Sequence, residues 1–388
     1  MPTTRPSLAT LCRLWLLAWL LLAGATQAAT LLQVGPQRTI KTIAAAAKMA
    51  GDNTVIEVDA GDYPGDVAVW TQSDITLRAV GGRVRLQAQG MAAEGKGIWV
   101  VRSPRMTVEG FDFSGALVDS RNGAGIRFET GWLRVRNCSF TYNEMGLLTN
   151  NDPAAVLEVE DSEFAYNMRP DGHNHNLYIG RIARATVTGS YFHHARTGHL
   201  LKSRAATSLI LYNRLTDETG GSASYELEFP NGGVAYVIGN IIQQGPLSEN
   251  PHIISFGAEG YVWPSNQLYL SHNTLVDELP GGGIWLRVKP GADAVLAVNN
   301  LFIGPTPLPD GPGTWRNNFR LDRSAFAPGY DYRLHAGSPL VGKAVAPGSA
   351  NGQDLRPQRE YIHPAHSQAL RNAPHNPGAL QQLQPARP

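Results

Sequence analysis

The sequence predicts an all-β solenoid, a single-stranded right-handed parallel β-helix with an N-terminal helical cap. Three observations carry that prediction: an apolar pair repeated at a solenoid period, an asparagine at a fixed place in the later repeats, and a second short strand earlier in each unit. The pairs stand five residues apart: Val108/Phe113, Val135/Phe140, Val159/Phe164, Val187/Phe192, Ile210/Leu215, Val237/Ile242, Leu270/Leu275 and Ala297/Phe302. By subtraction, their first members are 27, 24, 28, 23, 27, 33 and 27 residues apart, a period that belongs to stacked repeats. A spacing of five breaks strand alternation, so a bend lies within each pair. In the last four pairs Asn213, Asn240, Asn273 and Asn300 follow the first member by three. Asparagine tolerates the left-handed backbone of a sharp bend, and stacking would place these amides in a ladder at about 4.8 Å. Earlier strands read as 98–101, 126–128, 177–179 and 284–286. A leucine-rich solenoid is excluded, because its consensus and its helical side are both missing.

Each segment follows in order. Arg5 and Arg13, the apolar run 14–25 and the small-residue site 26–28 read as a secretory signal over 1–28, too short for a comfortable span and without a stop-transfer pattern. Localisation is therefore expected to be periplasmic or secreted, without stable membrane insertion. An open solenoid end needs cover. Ile40, Ile43, Ala44 and Ala47 share one helical face before Gly51, which predicts the cap over 39–50. The first strand is expected at 54–58. The β-helix domain is expected to cover 29–305, followed by an irregular Pro/Gly-rich segment, 306–388, packed on the solenoid.

Composition removes other classes. With 33 Lys+Arg against 32 Asp+Glu the net charge is +1, which argues against a nucleic-acid binder. Cleavage of the signal leaves Cys138 as the one cysteine, so neither an internal disulfide nor a cysteine-rich metal site is available. Its repeat position predicts a buried thiol.

Polar chemistry gathers between residues 171 and 231. Five of the chain's 11 histidines, His173, His175, His193, His194 and His199, fall there. His193 and His194 follow Phe192 in a turn and read as structural. The repeat register predicts three outer rows: Asn176/His199/Glu226, Tyr178/Leu201/Glu228 and Arg181/Arg204/Asn231. Alternation puts the first two rows on one face. This predicts His173, Tyr178, His199, Lys202, Arg204 and Glu226 as catalytic candidates, with Asp171, His175, Asn176, Glu228 and Asn231 binding substrate. A polar loop at 171–176 and a solvated basic turn at 202–204 are the plainer readings. The set suits proton removal from C5 of an acidic sugar. That step needs Arg or Lys to neutralise the carboxylate, a base, and an acid for the leaving oxygen. Proton return to the opposite face gives epimerisation instead. No cofactor or metal is expected. Ca²⁺ on Glu226 and Glu228 is the weaker alternative, since two carboxylates do not complete a hard-cation site.

Over roughly residues 31–305, the repeat, cap and signal resemble the pectate-lyase-like β-helix superfamily of polysaccharide lyases and epimerases. Asp171-Gly172-His173-Asn174 is similar to the Asp-Pro-His-Asp motif of mannuronan C5-epimerases, with Gly172 and Asn174 differing. The stretch 199–204, ending in Ser203-Arg204, resembles a later coil of the same enzymes. The resemblance implies His173 as base, Asp171 as its orienting group and Arg204 as carboxylate neutraliser. Lys202-Ser203 also resembles the Lys-Ser of alginate and chondroitin lyases on this fold, in which the lysine is the base. Pro230-Asn231-Gly232 stands where those lyases carry Arg-His-Gly.

The sequence thus predicts a β-elimination lyase acting on a uronate-containing polysaccharide, its partner being an acidic polysaccharide. A C5-epimerase is the near variant. A non-catalytic glycan binder using Trp70, Trp99, Trp263 and Trp285 as stacking surfaces is the second class, and a hydrolase built on Glu226 and Glu228 is the third.

Overall fold

The computed structural model describes residues 29–169, 171–172, 174–309, 311–326 and 329–384. The expected signal, 1–28, and His173 lie outside the described residues. The described chain is a parallel β-solenoid with almost no helix. Each coil contributes three strands. Two of the strand positions merge into one large sheet, because the long strands Thr54–Pro64 and Ile75–Gln87 pair through both. The third position forms a separate nine-stranded parallel sheet, from Ala68–Trp70 at one end to Ile284–Val288 at the other.

The repeat falls in register throughout. Val108, Val135, Val159, Val187, Ile210, Val237, Leu270 and Ala297 are successive cross-strand partners. So are Phe113, Phe140, Phe164, Phe192, Leu215, Ile242, Leu275 and Phe302. All are buried. In-register stacking brings like side chains together, and the rings of Phe113, Phe140, Phe164 and Phe192 stack at 4.9, 4.7 and 4.8 Å. Offset stacks of this kind add to the apolar burial that drives the fold.

The asparagine ladder exists, but it works differently from the expectation. Asn213, Asn240 and Asn273 each donate from backbone N–H and side-chain Nδ2 to Oδ1 of the next asparagine, at 2.8–3.1 Å. Asn300 does the same to Asn318. The left-handed residue is the one before each rung: Tyr212, Gly239, His272 and Asn299 take φ of 56, 67, 52 and 57°. The ladder amides therefore serve by hydrogen bonding inside the bend. Ser162 and Ser190 extend the row upward with their hydroxyls, as far as the backbone N–H of Cys138. The Cys138 thiol is buried, and burial pushes its pKa up to about 12.

A helix, Ile43–Met49, lies within the expected 39–50 stretch but is shorter. The Thr42 hydroxyl accepts from Ala45 N, and the Asp66 carboxylate accepts from Ile43 N and Ala44 N. Its buried face is Ile43, Ala46 and Ala47. The first rung of the stack is a strand that the sequence reading left unassigned, Thr30–Val34, paired with residues 54–58.

Past residue 305 the stack continues with Thr314–Arg316 and Phe319–Leu321. The chain then runs back along the flank of the large sheet. Phe326, Tyr332, Leu334 and Tyr361 cover Ile241, Val276, Leu301 and Ile303, while Leu355 packs with Tyr212, Tyr236 and Tyr269. Among the described residues, the apolar contacts of Phe326, Tyr332, Leu334, Leu355 and Tyr361 lie on the large sheet.

Candidate active site

The nine-stranded sheet turns its inner side to the core and its outer side away from it. Its inner row includes Leu177, Leu201, Leu227 and Ile254. One outer row reads Arg127, Leu148, Tyr178, Lys202, Glu228, Ser255 and Arg287. A second places His199 opposite Tyr225, with the His175 ring 4.5 Å from His199 and the Tyr225 ring 5.0 Å from it.

These rows correct the expected register by one residue. Lys202, not Leu201, lies between Tyr178 and Glu228, and Tyr225, not Glu226, lies beside His199. The cause is a shorter link in the middle coil: Tyr178 and Glu228 stand nine residues before Val187 and Val237, but Lys202 stands eight before Ile210. Alternation also breaks there, since Leu200 and Leu201 are both fully buried in the core. The residues turned outward are therefore three apart, His199 and Lys202. Glu226 and Leu227 repeat the break between Tyr225 and Glu228.

Lys202 anchors the site. Its Nζ is 3.0 Å from Glu228 Oε2 and 3.0 Å from Glu259 Oε1. His199 Nδ1 lies 3.2 Å from the same Glu228 oxygen. Nδ1 is buried beside that carboxylate, which sets negative charge against the ring. His199 donates its backbone N–H to His175 Nδ1 at 3.0 Å, and the His175 ring stacks on Tyr178 at 5.4 Å. Burial pushes the Glu228 carboxyl up, and Lys202 pulls it partly back.

Arg204 closes the other side. Its Nε donates to the Tyr178 hydroxyl at 2.9 Å, NH1 donates to Asn231 Oδ1 at 2.6 Å, and NH2 donates to Glu259 Oε1 at 2.9 Å. NH1 is also 2.7 Å from Glu259 Oε2. Burial works against the Arg204 charge, but the bonds to Glu259 and Tyr178 outweigh it and its pKa rises. The Glu259 carboxyl is held down to about 2, chiefly by Arg204. The Trp263 indole donates to Arg204 O at 3.0 Å and fixes the backbone there.

The structure thus joins Tyr178, His175, His199, Lys202, Arg204, Glu228 and Asn231, and it adds Glu259, which the sequence reading missed. Glu259 arrives on the loop between Phe256 and Gln267, 55 residues from Arg204. Its one sequence signal is a place between the turn glycines Gly257 and Gly260. Asp171 does not join. It is exposed, paired with Arg169 and Arg121, and held to about 2 chiefly by Arg169. Asn176 is buried and bonds Asn167 and the His193 carbonyl, a structural role. Glu226 is buried on the core side, with the Ser248 hydroxyl between it and Asp217 at 3.4 and 3.1 Å. Burial and neighbouring Asp217 push its pKa well up.

Glu226 and Glu228 therefore face opposite sides of their strand. This separates the two carboxylates that the sequence pairs on one face. Among the described residues, no group of three or more His, Cys, Asp or Glu is arranged to hold a metal ion, and no helix is long and apolar enough to cross a membrane. His193 bonds His194 and Glu163, and His194 also bonds Thr219 O, on the large sheet and away from the site. Trp70, Trp99 and Trp285 are fully buried, so they offer sugars no stacking surface. A cavity of about 450 Å³ under the C-terminal segment, lined by Tyr191, Arg214, Tyr330 and Tyr361, has its Arg214 already paired with Glu218.

No protein-family model matches the chain, and no curated protein matches it by sequence. Among solved structures it is similar to the pectate lyase Pel9A, with a TM-score of 0.58 at 12% identity over 86% of this chain and 97% of that one. A pectin methylesterase from Aspergillus niger gives 0.42 at 11% identity, over 81% of this chain and 91% of that one. The Escherichia coli protein ybhc gives 0.43 at 9%, over 84% and 87% respectively. The first of these carries the fold: a pectate-lyase-like right-handed parallel β-helix.

Proposed function

We propose that the protein is an exported polysaccharide lyase that cleaves a uronate-containing polysaccharide by β-elimination on the outer side of the nine-stranded sheet. One observation carries this reading. Two cations, Lys202 and Arg204, converge on a single carboxylate beside a tyrosine hydroxyl and a carboxylate-backed histidine. Elimination at C5 needs these parts together. Lys202 and Arg204 neutralise the sugar carboxylate and stabilise the charge that develops on it. His199, beside Glu228, takes the C5 proton. Electrons from the C5–H bond form the C4–C5 double bond as the C4–O4 bond breaks. The Tyr178 hydroxyl, which accepts from Arg204, gives its proton to the departing oxygen. Lys202 pairs with two carboxylates, which suits an electrostatic role better than the base role implied by the lyase resemblance. The fold shared with a pectate lyase agrees with this substrate class.

The test is incubation of the mature protein with a panel of acidic polysaccharides, following the ultraviolet absorbance of the unsaturated uronate. A rise on one substrate, lost in His199→Ala, supports the reading. The absence of a rise on every substrate refutes elimination, and solvent deuterium then entering the polymer identifies epimerisation.

A second reading rests on Glu228 and Glu259. Both touch Lys202 Nζ, so their nearest oxygens are at most about 6 Å apart, a limit that admits the roughly 5–5.5 Å of retaining glycosidases. One carboxyl is raised and the other lowered, the division that an acid and a nucleophile need. New reducing ends without an absorbance change would favour it.

A further inference from the structure

We infer that Glu259 occupies the carboxylate subsite of the free protein, standing in for the substrate's uronate carboxylate until substrate displaces it. The inference rests on the proposed reading of the site. Three facts support it. First, the Glu259 carboxylate takes the place that the chemistry assigns to substrate, its two oxygens bonded to Lys202 Nζ and to both terminal nitrogens of Arg204. Second, the Glu259 side chain is 46% exposed, while those of Lys202 and Arg204 are 10% and 15% exposed. The glutamate can swing to water, whereas the cations cannot leave. Third, its backbone is fixed. Glu259 N donates to Pro230 O, Val262 N donates to Asn231 O, and Asn231 Nδ2 donates to Gly260 O. Displacement is thus a side-chain rotation with the loop in place.

The consequence is selectivity. A neutral sugar has nothing to offer Lys202 and Arg204 in exchange for Glu259, whereas a uronate replaces one carboxylate by another. The internal carboxylate also keeps the two cations paired in the resting protein, so that stray anions must compete for them. Substrate binding is weakened by the fraction of time the subsite is occupied.

The experiment compares wild type with Glu259→Ala and Glu259→Gln. It measures calorimetric binding of oligogalacturonates, oligomannuronates and oligoguluronates, with carboxyl-reduced oligomers as controls, and it measures KM and kcat on the substrate that responds. Glu259→Ala is expected to bind the acidic oligomer roughly five- to thirtyfold tighter, with a parallel fall in KM and no gain towards the carboxyl-reduced oligomer. Glu259→Gln is expected to shift the same way by less, since the amide still fills the space. Equal affinity in wild type and Glu259→Ala overturns the inference. So does loss of kcat in Glu259→Ala, which would move Glu259 into the hydrolytic pair. If wild type and variants ignore every oligomer, the reading of the site itself falls; if wild type binds and cleaves while Glu259→Ala does not tighten, only the inference about Glu259 falls.

Discussion

Asn240 sits in the middle of the amide ladder, and its removal has a cost that can be worked from its bonds. Its Oδ1 accepts from Asn213 N at 2.9 Å and from Asn213 Nδ2 at 3.0 Å. Its Nδ2 donates to Ile210 O at 2.7 Å and to Asn273 Oδ1 at 3.1 Å. Asn240→Ala therefore orphans a backbone N–H and strips partners from a backbone carbonyl and two amides, in a place where Asn213, Asn240 and Asn273 are fully buried. Each buried group left without a partner costs about 1–3 kcal/mol. With two backbone groups affected, the expected loss is about 2–6 kcal/mol, the upper part reached if water cannot enter the bend. The half-buried terminal rung is the internal control. Asn318 accepts from Asn300 N and Nδ2 and donates to Ala297 O, but it lies near solvent. Water can replace its bonds, so Asn318→Ala should cost about 1–2 kcal/mol. Urea unfolding of the mature protein, followed by circular dichroism, measures both. A loss below about 1 kcal/mol for Asn240→Ala, or equal losses at the two positions, would refute the view that the ladder holds the bend by hydrogen bonding.

Two further predictions concern the site, and a third concerns the pH dependence of stability. Arg204→Ala should lower kcat/KM on the responsive polysaccharide by roughly 10²–10³, the usual cost of removing one charge-stabilising donor. Tyr178→Phe keeps its ring against His175 and should lower kcat by roughly 10²–10⁴ with little change in KM, checked by initial rates of unsaturated product. Asp217 titrates up to about 7, from 3.8, chiefly because it is buried. Below about pH 4 it is protonated folded and unfolded alike. Between there and about pH 7 the unfolded chain gives up a proton that the fold retains, so this group makes stability fall as pH rises through the window and level off above it. Asp217→Asn should flatten that slope in urea unfolding measured from pH 4 to pH 8, by at most about 4 kcal/mol, and an unchanged slope would show that Asp217 does not carry it.

The sequence reading succeeded where one residue type repeats for one reason. Val108 to Ala297 and Phe113 to Phe302 all face a core whose cross-section changes little from coil to coil, so the same apolar class recurs and the register follows. The ladder was half legible. Asn213 to Asn300 repeat the amide, but Ser162 and Ser190 do the same work with a hydroxyl, and no composition rule connects the two chemistries. The position of the left-handed residue is not legible because Tyr212, Gly239, His272 and Asn299 share no residue type, while the repeated asparagine after each is itself a residue that tolerates positive φ.

The outer face was harder to read for a physical reason. Its register rests on a constant offset from the core anchors, and the coil that carries Lys202 breaks that constancy, with eight residues from Lys202 to Ile210 where its neighbours have nine. A one-residue error in the inner strand then exchanges Lys202 for a leucine in the active row. The loop residue is harder still. No period predicts that Glu259 folds back onto Lys202 and Arg204, since the contact spans 57 and 55 residues and depends on a backbone anchored at Pro230 and Asn231. What does select Glu259 is electrostatic. Lys202 and Arg204 are largely buried in adjacent places, and two such cations need a counter-charge in the folded chain. Glu228 serves Lys202 from the strand. Among the described residues Arg204 makes no ion pair with an acid of its own sheet, and Glu259, on the loop after His252–Phe256 two strands further along that sheet, supplies the charge.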